Sequence, residues 1–201
     1  MGSIKLPHAS GNSVSIAAPA TNPASDLELK LPATIGSAGE VLQNSTTAGT
    51  LEMGSPFRPA FSAYTSSTFD IASSTWVKQL FQTEYFDSDS AYNTSTSTFT
   101  VPANMGGAYQ INYQITVDDI NDGTYYTSRL YVNGSGVGNS QGGMSWSPTN
   151  DKIITLNQSF VYELSAGDTV NVYGYHNSTG TQSSENEQNH FSMFRLGGVA
   201  T

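Results

Sequence analysis

The chain has 201 residues, only 11% of them charged, and a net charge of −9 at pH 7. Its seven basic residues (Lys5, Lys30, Arg58, Lys78, Arg129, Lys152 and Arg195) are scattered, which excludes a nucleic-acid surface, because phosphate binding needs clustered Lys and Arg. The lack of cysteine excludes disulfides and thiolate metal sites, and no apolar run approaches the roughly 20 residues of a membrane span.

Residues 1–55 contain no Phe, Tyr or Trp. A segment without large apolar side chains cannot offset its own ordering entropy, so it is either a flexible polar linker or leans on a partner chain. No charged start leads into an apolar run, so no secretory signal is expected. An internal echo, KLPHASG at 5–11 and KLPATIG at 30–36, with alternating Val14/Ile16 and Leu27/Leu29/Leu31 around it, predicts short stacked units in a thin β-rich stalk steadied by neighbouring copies.

Residues 56–201 read as strands. The segment 109–117 (YQINYQITV) alternates with period two, placing Tyr109, Ile111, Tyr113, Ile115 and Val117 on one face and Gln110, Asn112, Gln114 and Thr116 on the other. A second strand, 124–133, ends at the hairpin-turn dipeptide Asn133-Gly134. Further strands are predicted over 153–164, 169–175 and 191–196, with turn clusters at 118–123, 133–143 and 176–190. The best helical stretch, around Ser74–Phe81, is short and equally strand-like. Many short strands with regular turns predict an all-β sandwich or barrel.

From about residue 58 to 198 the chain resembles the complement C-one-q/tumour-necrosis-factor-like family. PAFSAY at 59–64 is similar to that family's first strand. YNTSTSTFTVP at 92–102, GAYQINY at 107–113, LSAGDTVNV at 164–172 and the closing FSMFRL at 191–196 follow its patterns in order. Asn104-Met105-Gly106 lengthens one loop, Met193 replaces a common Gly, and Arg195 stands at a usually apolar position. The resemblance implies an antiparallel jelly-roll sandwich that forms a homotrimer around an aromatic-rich sheet. On that implication Tyr109, Ile111, Tyr113, Phe191 and Phe194 are the trimer-core candidates; the alternative is that they fill the core of each chain. Residues 29–54 (LKLPATIGSAGEVLQNSTTAGTLEMG) resemble a segment common in bacteriophage virion proteins, especially marine phage fibres, where it precedes a C-terminal knob. That resemblance implies a virion location and contact with other virion proteins through residues 1–55.

Few residues carry chemistry. Gly138-Asn139-Ser140-Gln141-Gly142 fits G-x-S-x-G, but a nucleophile elbow needs a strand-to-helix turn in an α/β sheet. His176 and His190 flank a long polar loop and, with Tyr125 and Trp146, are the surface-binding candidates; two histidines are too few for a catalytic zinc. Asp118, Asp119 and Asp122 are weak calcium candidates that lack a closing bidentate Glu. No cofactor is expected. The expected protein is a non-enzymatic, trimeric virion-surface protein with a stalk at 1–55 and a jelly-roll head at 56–201, adhering to a host glycan or protein. The alternatives are a virion-borne glycan-degrading enzyme and a secreted trimeric lectin-like binder.

Overall fold

A computed structural model describes residues 3–7, 11, 13–17, 28–45, 47, 49–54, 58–120, 125–145 and 152–197. The chain divides into two units, Met1–Gly54 and Ser55–Thr201.

In the first unit, β1 (Ser3–Pro7) pairs antiparallel with β2 (Ser13–Ala17), and β3 (Val41–Asn44) with β4 (Leu51–Gly54). The echoed K-L-P segments differ in structure. The first lies within β1, whereas the second makes a single parallel bridge, Lys30 to Thr50. The Leu29/Leu31 run therefore forms no strand. Leu29, Leu31, Ile35, Val41 and Leu42 are all exposed. The two-stranded ribbon β3–β4 has no second layer to bury Val41 and Leu42 against.

The head contains β5 (Ala60–Tyr64), β6 (Asp70–Ile71), β7 (Val77–Lys78), β8 (Thr83–Asp87), β9 (Tyr92–Asn93), β10 (Thr98–Thr100) and β11 (Gly107–Ile120). It continues with β12 (Tyr125–Val132), β13 (Ser135–Gly136), β14 (Gly142–Ser145), β15 (Lys152–Leu164), β16 (Thr169–His176), β17 (Gln182–Ser184) and β18 (His190–Gly197). These form two antiparallel sheets. In the first, the order is β6-β17-β11-β18-β5-β8, with β15 on the opposite edge of β11. In the second, the order is β13-β12-β16-β10-β9, with β14 also on β12 and β7 also on β16. The predicted long strands appear at their predicted positions. The helical stretch 74–81 instead carries β7, and the predicted turn clusters at 133–143 and 176–190 carry β13, β14 and β17. Val132 pairs with Ser135 across Asn133 (φ 51°) and Gly134 (φ 76°), both left-handed as a two-residue hairpin turn requires.

The core lies between the sheets and follows strand parity. Tyr109, Ile111, Tyr113, Ile115 and Val117 of β11 point inward, joined by Phe61, Phe191, Met193, Ile154 and Leu156. Tyr126, Leu130, Val170, Val172 and Phe99 meet them from the second sheet. Burying aromatic rings of this size is the main driving force for closing the sandwich.

Candidate binding face

The outward parity of the second sheet carries rings where a solvated strand face ordinarily carries polar groups. On β12, Tyr125, Arg129 and Tyr131 alternate with the core residues Tyr126, Leu130 and Val132; on β16, Tyr173 and Tyr175 alternate with Val172 and Gly174. Register sets the rows. Arg129 lies opposite Tyr173, and Tyr173 opposite Lys78 on β7. Trp76 precedes β7 and reaches the same rows. Its ring is 5.5 Å from Tyr175 and 6.1 Å from Tyr131, and the Arg129 guanidinium carbon sits 4.7 Å from its centroid. Tyr131 packs on Tyr173 at 4.0 Å, and Tyr125 stacks on Tyr175 at 5.7 Å. The Arg129 side chain crosses Gly136. A Cβ there would meet Arg129 Cδ at 2.8 Å, so the missing side chain makes room for the arginine. Arg129 Nη2 donates to Gln141, while its Nε finds no acceptor among the described residues. The result is a half-exposed ladder of rings threaded by two cations. Sequence reading named only Tyr125 of this group. The available signal was the odd-numbered aromatic parity of 125–131 and 173–175, opposite to the parity that fills the core.

The trimer-core candidates are placed differently. Tyr109, Ile111, Tyr113 and Phe191 are each 1% exposed or less and fill the core of the single chain. Phe194 is half-buried on the other side of β18. Three residues apart in a period-two strand, Phe191 and Phe194 face opposite ways, so they never shared a face. Among the surface candidates, His176 is fully buried, with Nε2 2.7 Å from Ile71 O, so no ligand reaches it. The even parity that directs Val172 inward directs His176 inward too. Tyr125 is exposed and belongs to the ladder. Trp146 and Asp122 lie outside the described residues. Asp118 and Asp119 lie near the end of β11, Asp118 opposite Ser183. Among the described residues, no group of three His, Asp or Glu side chains is placed to hold a metal ion. Ser140 is 2% exposed; its Oγ donates to Val137 O (2.6 Å) and accepts from Leu130 N (3.0 Å), so it secures a turn rather than standing free as a nucleophile.

His190 begins β18 opposite Tyr64 and Gln114. Partial burial holds its pKa below the ordinary 6.5. A depressed histidine pKa means the folded state binds fewer protons than the unfolded chain. The contribution is thus complete above about pH 6.5 and is lost as pH falls from there through the folded value. Thermal unfolding between pH 7 and 5 is expected to show a smaller acid-side drop in His190→Gln than in the parent; equal drops in both would remove His190 as the cause.

The outward face of the first sheet has another character. Gln110 Nε2 donates to Asn112 Oδ1 (3.2 Å) and Ser159 Oγ (3.0 Å), and Ser159 Oγ donates to Asn112 Oδ1 (2.8 Å). This closed polar cluster joins β11 to the edge strand β15. Four of the exposed apolar residues lie on the sheet's two outermost strands, Tyr85 (69%) and Phe86 (53%) on β8 and Ile153 (56%) and Val161 (54%) on β15; a fifth, Leu196 (49%), ends the interior strand β18.

Among solved structures, Eiger TNF from S. frugiperda aligns with 73% of this chain and 96% of its own at a TM-score of 0.55 and 17% identity. The head shares the jelly-roll fold with that structure. The globular domain of the zebrafish complement 1qA protein aligns with 71% of this chain and 100% of its own, at a TM-score of 0.47 and 18% identity. No family model matches the chain, and no curated protein matches it. The jelly roll explains the two contrasting faces. Each sheet gives one side to the shared core and turns the other outward.

Proposed function

We propose that the chain is a non-catalytic structural protein of a bacteriophage particle, attached through residues 1–55 and carrying a trimeric head that adheres to the host surface. The observation that carries the self-association is the position of the exposed apolar residues at opposite edges of one sheet. A ring of identical subunits joins head to tail, so each copy needs two different patches, one for each neighbour. Tyr85 and Phe86 on β8 form one exposed apolar patch, and Ile153 and Val161, near the two ends of β15, line the opposite edge. The polar cluster of Gln110, Asn112 and Ser159 beside the β15 edge is already hydrogen-bonded within itself. The exposed leucines of the first unit gain cover in the same way when copies stand side by side. The virion assignment draws on the resemblance of residues 29–54 to phage fibre segments, and adhesion on the ring ladder of the second sheet. Three weak sites on one trimer act together and raise avidity without new contacts.

Light scattering of the full chain is expected to give three times the 21.4 kDa chain mass. Phe86→Asp puts a charge into one edge patch and is expected to shift the protein to single chains with an unchanged circular dichroism spectrum. A parent protein of single-chain mass refutes the ring. Mass spectrometry of purified phage particles tests the location separately, since absence of this chain's peptides from them sinks the virion assignment alone.

A further inference from the structure

The two sheets differ in charge as well as in shape. The strands of the first sheet carry Asp70, Glu84, Asp87, Asp118, Asp119 and Glu163. The strands of the second carry no acidic residue at all. In a chain of net charge −9, one sheet has thus been kept free of negative charge, and it is the sheet whose outer face holds the rings. That face also presents Arg129 and Lys78 on either side of Tyr173. The acid at the start of β16, Asp168, is held by Asn133 Nδ2 (2.7 Å) and the Ser165 backbone N–H (2.8 Å).

Among the described residues, neither cation is paired with a carboxylate. Arg129 meets Trp76 and the neutral Gln141, with Nε left without an acceptor among the described residues; Lys78 Nζ donates to the carbonyl of Thr96 (3.3 Å). Of the other two arginines, Arg58 pairs with Asp89 and Arg195 donates to the Gly106 carbonyl. Flat rings offer their faces to the C–H side of a pyranose, and a guanidinium fork matches the two oxygens of a carboxylate. We propose that the Trp76–Arg129–Tyr175 face binds an acidic polysaccharide, the sugar rings lying on the aromatic side chains and a uronate carboxylate meeting Arg129, with Lys78 flanking. This assignment rests on the reading of the head as a binding module. It does not depend on trimer formation or on particle attachment.

The test is calorimetric titration of the full chain with oligogalacturonate and with its methyl ester, which keeps the ring and removes the charge. The acid form is expected to bind about tenfold or more tighter than the ester, with the difference shrinking at high salt. Arg129→Gln is expected to bring the acid form down to the ester's level and leave the ester unchanged. Trp76→Ala is expected to weaken both about tenfold; if that variant is misfolded by circular dichroism, Tyr175→Ser replaces it. Oligomannuronate and heparin fragments are titrated alongside. The proposal is overturned if none of the three acidic glycans binds. It is equally overturned if acid and ester bind alike, or if binding ignores both Arg129→Gln and the ring variant. A single-chain mass in light scattering refutes the ring of subunits and leaves the per-site titration result intact, so the two failures are separable.

Discussion

Phe61→Ala is expected to destabilise the head by about 3–5 kcal/mol, the range for truncating a buried aromatic residue in a core that cannot collapse around the gap. Phe61 is 1% exposed and sits where both sheets meet. Its ring stacks on Tyr92 at 4.4 Å and on Phe99 at 5.1 Å, and takes the edge-on contact of Phe191 at 5.0 Å. Removing it leaves three rings without a partner on one side and forfeits their dispersion contacts together. The neighbours cannot relax inward, because each is anchored in a different strand: Tyr92 on β9, Phe99 on β10, Phe191 on β18. Phe61→Leu refills part of the space and is expected to cost roughly 1–2 kcal/mol. Urea unfolding at fixed chain concentration measures both, since association would make the midpoint concentration-dependent. A loss below about 1 kcal/mol for Phe61→Ala would mean that these rings are not a packed centre.

The second large effect is expected at Asn189, a polar residue 1% exposed. Its Oδ1 accepts from the Thr116 backbone N–H, and its Nδ2 donates to Ser184 Oγ (2.6 Å) and Glu185 O (2.9 Å). Its own carbonyl accepts from Thr65 N (3.1 Å). One amide thereby ties β11 to the segment after β17, and its backbone ties both to the end of β5. Asn189→Ala removes three hydrogen bonds and strands the Thr116 N–H, whose residue is fully buried. An orphaned buried donor costs about 1–3 kcal/mol by itself, so the total is expected to reach about 3 kcal/mol or more. The neighbouring Gln188 is exposed, and Gln188→Ala is expected to stay within about 0.5 kcal/mol. Equal effects at the two positions, in the same urea titration, would show that the network does not hold this corner. Hydrogen exchange at Thr116 gives an independent reading, because the amide should lose protection in Asn189→Ala and keep it in Gln188→Ala.

Corners of this kind are invisible in the amino-acid order. Asn189 lies in a run of Ser, Glu, Asn and Gln that reads as a solvated turn, and only the approach of Thr116 and Thr65 makes it a buried hub. Ser140 followed the same course. Its motif has the form of a nucleophile elbow without the strand-to-helix context, and hydrogen bonds to Val137 and Leu130 make it part of a turn. His176 too looked like a loop-end residue, and the pleat of β16 carried it inward.

What the sequence determined by itself was local. Period-two alternation set β11, because a half-buried strand's side chains take alternate faces, and β-prone runs between turn clusters set β12, β15, β16 and β18. Asn133-Gly134 set a hairpin, because both residues tolerate a left-handed backbone. The lack of rings before residue 56 separated a segment without a core from one that has one. Tertiary structure decided everything that depends on which strands lie side by side. It sent Tyr109, Ile111, Tyr113 and Phe191 into the core of the single chain. It brought Trp76 against Tyr175 and Arg129 from distant stretches of sequence. It also sorted the acidic residues onto the strands of one sheet and left the strands of the other without any. Periodicity is a property of neighbouring residues, whereas a sheet face is assembled from strands far apart in the chain, and only their pairing decides which rings and charges share it.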